Sequence, residues 1–231
     1  MNLDWSLILA VWPLLADGAG VTVAVSLAGG LIAVAIGAIL AAIGSAPGRI
    51  PRVLVAAYVD LMRGMPPLVL ILIAFYVLPQ FGLMLSPVMT GTLALGAYYA
   101  AYVTEVIRGA IRAIPPGLAE AGLVLGMTPW QIARRITIPQ ALALIIPPLS
   151  GLLIGLIKES ALLSVISVAE LTFQAKQAVS RTYAPFEVYL MAALAYWALT
   201  AVIDVAMRRL EARSTRYRTA APTMPQPEGP A

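Results

Sequence analysis

The side chains in this sequence that could do chemistry are few, and they are not the usual catalytic ones. The 231 residues include no histidine and no cysteine. Imidazole bases, thiolate nucleophiles, disulfides and the common zinc and haem ligands are therefore excluded. No catalytic residue and no metal ligand are expected. The charged cluster that stands out is Lys158-Glu159-Ser160, directly after one apolar run and directly before another. Adjacent opposite charges at membrane depth are costly and mark a functional site by default. A lysine and a glutamate could complement the carboxylate and the ammonium of an amino acid, and Ser160 could add a hydrogen bond. The candidate contacts run from Lys158 to Leu162, with Tyr98 and Tyr99 as further candidates, although tyrosines also populate ordinary interface belts. A salt-bridged hinge or an exposed loop is the structural alternative for Lys158 and Glu159. Glu105 and Arg108 are three residues apart, share a helical face and are expected to form a structural ion pair at the membrane edge.

The elements that must hold these residues are membrane helices. Hydrophobic residues make up 61% of the chain and charged residues 11%, against about a quarter charged in a soluble domain. The net charge of +4 does not indicate nucleic acid, because the basic residues flank apolar runs and form no polar face. The partner that composition demands is membrane lipid. No positive segment precedes the first apolar stretch, so a cleaved signal peptide is not expected. Residues 1–18 carry Trp5, Trp12 and Pro13 and are expected to form an interfacial segment, broken at the proline and too short to span. Spans are predicted at about 19–43, 53–78, 91–111, 141–157 and 186–205, each near the ~20 residues that a bilayer requires. Small residues Gly29, Gly30, Ala33, Gly37 and Ala41 favour close helix contact in the first, and Gly151 with Gly155 in the fourth. Pro66-Pro67 and Pro147-Pro148 interrupt the second and fourth. Residues 158–184 are expected to form an irregular re-entry, and residues 211–231 a cytoplasmic tail with a disordered end. Arginines follow spans one, three and five and none follows span two; the segment after span four breaks the bias with Lys158, Lys176 and Arg181. Positive-inside bias then gives an all-α membrane protein of five spans, N-terminus outside and C-terminus cytoplasmic.

Between the third and fourth spans lies the most strongly punctuated stretch, residues 114–139. Pro115, Pro116 and Gly117 end the preceding helix, and Pro116 suits the first turn of a short helix with Glu120 near its positive end. Gly126 is placed where a left-handed residue closes a helix. Thr128, Pro129 and Gln131 form a capping-box signature for a second short helix, expected to end at Pro139. Glu120 is expected to accept backbone amide bonds, with an arginine on a partner as the alternative. Leu118, Leu123, Leu125, Met127 and Trp130 provide apolar contact for a groove.

Those residues resemble a known family. Glu120-Ala121-Gly122, Gly126, and Ile136-Thr137-Ile138-Pro139 match the spacing of the EAA loop of bacterial ABC importer permeases, with Gly122 for the second alanine and Ile138 for leucine. Residues 58–68 (YVDLMRGMPPL), 101–111 (AYVTEVIRGAI) and 158–171 (KESALLSVISVAEL) resemble segments of the polar amino-acid subfamily, the histidine, glutamine and arginine permeases. The resemblance covers about residues 19–210. Departures fall at Asp60, Met65, Glu159 and Ala161, and the last two, at the candidate substrate site, leave the ligand open. The resemblance implies a type I ABC importer transmembrane domain in a bacterial cytoplasmic membrane. It implies a coupling loop in which Glu120, Ala121, Gly122, Gly126, Trp130, Ile136 and Pro139 meet an ATPase subunit. Its implied partners are two ATPase copies, a periplasmic or lipid-anchored solute-binding protein, and a second permease, identical or paralogous. No Walker A pattern is present: the run from Gly151 to Lys158 has the wrong spacing and is apolar. No cofactor is expected on this chain, and ATP and magnesium would be used by the partner subunit. The rival readings are the same architecture for a compatible solute or an amino-acid derivative, an ion-coupled secondary transporter built on inverted repeats, and an intramembrane enzyme.

Overall fold

A computed structural model describes residues 5–214, and among these the regular structure is all helix, without strands. The first helix, α1 (Trp5–Ser45), is 41 residues long. At 1.5 Å per residue it extends about 60 Å, roughly twice the thickness of a bilayer core. It runs straight through Pro13, so the expected break is not made. Val11 and Leu15, on either side of the proline, are 5% and 1% exposed and are clamped in one cluster with Leu171, Ala175, Val188 and Met191. Burial on both sides keeps the helix in line where the missing amide alone would favour a kink.

The expected second span is two helices, α2 (Arg49–Gly64) and α3 (Pro67–Val77), which meet at 103°. Consecutive prolines dictate this corner. A proline disfavours the α conformation in the residue before it, so Met65 (ψ 143°) and Pro66 (ψ 134°) are both extended, and Pro67 opens α3. A short 3-10 turn, Leu78–Phe81, leads to α4 (Pro87–Arg112), whose start is capped by the Ser86 hydroxyl accepting from the Met89 amide.

Helix α4 is the centre of the molecule. The small-residue stripe of α1 lies against it as expected: a methyl group on Gly37 would meet Val103 at 2.7 Å, and one on Gly96 would meet Ile32 at 2.7 Å. The Thr104 hydroxyl bonds to the Ala100 carbonyl at 2.7 Å and lies 3.4 Å from that of Gly37. Because α1, α2, α3 and a later helix, α7 (Ile138–Glu159), cover it, α4 can carry threonines and tyrosines that a lipid-facing helix would not. It is not among the helices long and apolar enough to cross a membrane. Among the described residues those are Leu7–Ser45, Pro129–Ile166 and Pro185–Arg213, or up to four if α2 and α3 make one bent span. The count of five is therefore not reached on apolarity alone.

After α5 (Pro116–Val124) the chain forms one long helical run: α6 (Pro129–Ile132), a π turn (Ala133–Thr137), α7 (Ile138–Glu159) and a 3-10 segment (Ser160–Ile166). Two expectations are corrected here. Pro139 does not end the second short helix, and Pro147-Pro148 do not interrupt the fourth span. At Pro139 the π turn absorbs the irregularity: the Ile138 amide bonds five residues back to the Ala133 carbonyl, immediately before the residue that has no amide to give. Pro147 and Pro148 are exposed, and a proline ring on an outer face displaces no neighbouring helix. The re-entry resolves into the 3-10 segment and α8 (Leu171–Thr182), followed by α9 (Pro185–Ser214). The beginning of the expected tail, residues 211–214, continues α9, and its remainder lies outside the described residues.

Glu170 joins these last elements. Fully buried, it caps α8 by accepting from the Phe173 and Thr172 amides at 2.7 and 2.9 Å, and it accepts the Tyr196 hydroxyl of α9 at 2.8 Å. The Thr22 hydroxyl of α1 accepts from the adjacent Leu171 amide at 3.2 Å.

Candidate functional site

Two places in this frame gather the residues singled out above. The first lies between α2, α4 and α7. Tyr98 and Tyr99, with Tyr102 one turn further along α4, pack as an aromatic group with ring centroids 5.3 to 6.0 Å apart. The Tyr98 and Tyr102 hydroxyls are 3.0 Å from one another. Tyr99 lies across α7 over Gly155, where a methyl group would come within 2.7 Å of its hydroxyl. Gly155 and Glu159 are one turn apart on one face, and the Tyr99 hydroxyl lies against the Glu159 carboxylate. The second oxygen of that carboxylate, Oε2, is buried with no hydrogen-bond partner. A buried carboxylate oxygen without a donor is rare, because it forfeits the full desolvation free energy of the group. On the other side of the aromatic group, the Arg63 guanidinium sits 5.5 Å from the centre of the Tyr102 ring, a cation–π distance. The arrangement offers an anionic acceptor, hydroxyls and a cation held over an aromatic face.

Of the sequence-derived candidates, the structure brings together Tyr98, Tyr99 and Glu159. The others go elsewhere. Ser160 is fully buried, and its hydroxyl donates to the Ile157 carbonyl at 2.8 Å. Leu162 packs on the cluster of Ile71, Leu95 and Leu163. Lys158 is exposed and makes no hydrogen bond or ion pair among the described residues. Tyr102 and Arg63 had no assigned role; the signals available were the four-residue spacing of Tyr98 and Tyr102, and an arginine directly before the Gly64–Pro67 break. Gly151, the expected packing partner of Gly155, faces open space. The Glu105–Arg108 ion pair forms as expected, at 2.8 Å.

The second place is the loop around α5 and α6. Gly126 takes the left-handed conformation (φ 72°), and the capping box forms in full: the Thr128 hydroxyl accepts from the Gln131 amide at 3.3 Å, and the Gln131 side chain accepts from the Thr128 amide at 2.8 Å. Gly122 lets α5 settle on the helix that follows; a methyl group there would meet Ile132 at 3.0 Å and Ile136 at 3.2 Å. Ile136 thus faces inward within the loop. Outward, Leu123, Val124, Leu125 and Trp130 are 57%, 88%, 80% and 69% exposed. Glu120 and Ala121 are exposed beside them. Glu120 lies beyond the first turn of α5 and makes no hydrogen bond or ion pair among the described residues. The expected backbone-amide role is not made, because the free amides of a helix belong to its first turn.

Comparison with known proteins agrees with the resemblance read from the loop. Residues 33–216 match the family described as binding-protein-dependent transport system inner membrane component. The chain is 34% identical over 218 residues to the glutamine transport system permease protein GlnP of Escherichia coli (strain K12), covering 92% of this chain and 98% of that protein. It is 33% identical over 217 residues to the L-cystine transport system permease protein TcyB of Bacillus subtilis (strain 168), covering 93% of each. Its fold superposes with a TM-score of 0.84 on a solved amino acid ABC transporter with histidines, at 34% identity, over 92% of this chain and 100% of that one. With an all-helical membrane frame, a matching loop and relatives along nearly the whole length, this chain belongs to the binding-protein-dependent transport system inner membrane components, the permease subunits of ABC importers.

Proposed function

We propose that the chain carries polar amino acids inward across a bacterial cytoplasmic membrane, as one permease of a pair. The carrying observation is the site between α2, α4 and α7, in a chain whose permease relatives are named for glutamine and cystine. Glu159, with one buried oxygen lacking a donor, would receive the substrate ammonium. Arg63 over Tyr102 would face the substrate carboxylate, and Tyr98 and Tyr99 would close around the side chain. Lys158, Ser160 and Leu162 would support the site from outside it.

Five spans fit this reading: α1, the bent α2–α3 pair, α4, the run from Pro129 and α9, with the N-terminus outside and the C-terminus in the cytoplasm. The ends of α4, α5 and α6 then lie on the cytoplasmic side. There the exposed Leu123, Val124, Leu125 and Trp130, with Glu120 unpaired beside them, would enter a groove on an ATPase subunit. Two ATPase copies would bind ATP and magnesium, and a periplasmic or lipid-anchored binding protein would deliver the solute. Closure of the ATPases would tilt the rigid loop and switch the permease pair between outward- and inward-facing states. No bond in the substrate is made or broken by this chain.

Two measurements test the reading. A tagged chain purified in mild detergent should bring down an ATPase at near-stoichiometric amount; its absence even after cross-linking would favour a secondary transporter. Proteoliposomes of that complex, with the binding protein outside and ATP inside, should accumulate a labelled polar amino acid. Uptake confined to betaines or sugars would reject the substrate class.

A further inference from the structure

A polar cavity of about 240 Å³ lies where the end of α1, the start of α2 and the end of α4 meet, lined by Gly44, Ser45, Arg52, Arg108, Ile111 and Arg112. At about 30 Å³ per water it has room for roughly eight. Three guanidinium groups surround it. The carboxylate joined to them is Glu105, which takes Arg108. Arg52 and Arg112 have no hydrogen-bond or ion-pair partner among the described residues. Ser45 does not add a donor, since its hydroxyl is given to the Ala41 carbonyl at 2.7 Å.

A helix dipole accounts for only part of this charge. Arg112 stands in the last turn of α4, where a cation is favourable. Arg52 stands near the start of α2, where the amide end is already positive and a cation is unfavourable. That start also has no side-chain cap. Unpaired arginines around one cavity make a locus for an anion. The surface at its rim is apolar: Ile43 and Ile111 are each 43% exposed. A free anion would use the arginines and leave that apolar surface unused. A phospholipid uses both.

We propose that this cavity binds the phosphate of an anionic glycerophospholipid, with the acyl chains leaving past the exposed Ile43 and Ile111 at its rim. Basic pockets between membrane helices are suited to such headgroups. The bound phosphate would bridge Arg52 and Arg112, offsetting one of their two charges, and fix the corner where α1, α2 and α4 meet, directly before α5.

The test uses the full chain, purified in mild detergent and stripped of lipid, with phosphatidylglycerol or phosphatidylcholine of identical acyl chains added before native mass spectrometry. The expected result is one phosphatidylglycerol retained per chain, about tenfold more strongly than phosphatidylcholine. The double variant Arg52→Gln/Arg112→Gln should lose most of that preference, and Arg209→Gln/Arg213→Gln, which removes equal charge from α9, should keep it. Arg112→Gln alone should lose part of it, should the double variant fail to fold. Equal retention of both lipids would overturn the proposal, as would equal loss in the two double variants. So would saturable binding of inorganic phosphate that depends on Arg52 and Arg112 when phosphatidylglycerol is not retained, since the ligand would then be a free anion.

Discussion

Tyr99 lies over Gly155 so closely that its hydroxyl occupies the space where any other residue would place a side chain, 2.7 Å from an added methyl group. One turn further along the same face of α7 is Glu159, against which that hydroxyl lies. Gly155→Val should therefore displace Tyr99 and raise the KM for uptake by about tenfold. The membrane level of the protein should be unchanged, because the atom displaced is the far end of one side chain. Uptake kinetics in proteoliposomes, beside an immunoblot of the membrane fraction, would decide this.

Glu159→Gln removes the negative charge and retains the size. Hydrogen bonds to charged groups contribute about 1.5–3 kcal/mol, so the loss expected for substrate is roughly 10- to 100-fold in KM. Tyr99→Phe, which removes one neutral hydroxyl, should cost less than tenfold. If the glutamine variant transported normally, the ammonium would have to be bound elsewhere.

On the outer face of the loop, Trp130→Ala should weaken retention of the ATPase by about tenfold or more, since large aromatic side chains dominate such contacts. Glu120→Lys should leave the chain in the membrane and separate ATP hydrolysis from uptake. Co-purification yield and coupled assays measure the two effects, and normal uptake by Glu120→Lys would refute the coupling role.

Glu170 is a structural anchor. Glu170→Ala removes a helix cap, about 1 kcal/mol, and leaves the half-buried Tyr196 hydroxyl with fewer partners, about 1 kcal/mol more. Its melting temperature in detergent should fall by several degrees. Tyr196→Phe should show a smaller fall, and neither change should alter the KM of the protein that remains folded.

Local chemistry made much of this legible in the linear chain. The capping box at Thr128 and Gln131, the left-handed Gly126, the Glu105–Arg108 pair and the small-residue stripe of α1 depend on neighbours within a few positions, or on a period that one helix repeats. The spacing of Glu120, Gly126 and Pro139 identified the family for the same reason.

Prolines were the hardest residues to read, because a proline forbids one hydrogen bond and does not say what the helix does next. Four proline features illustrate this. Pro13 is held in line by burial of Val11 and Leu15, Pro139 is absorbed by a π turn, Pro147-Pro148 face outward, and Pro66-Pro67 turn the chain by 103°. Packing decided the first case, and the local backbone or an outward face the others.

The sequence by itself determined that the chain is helical, built for lipid, punctuated at 114–139 and unable to use histidine or cysteine chemistry, because composition, charge placement and caps are properties of short segments. Only the tertiary structure decided that Tyr98, Tyr99, Tyr102, Arg63 and Glu159 come together while Ser160 and Leu162 turn into the core. Those residues lie on three helices, and which face of each meets the others is set by where glycines such as Gly37 and Gly155 allow a neighbour to approach.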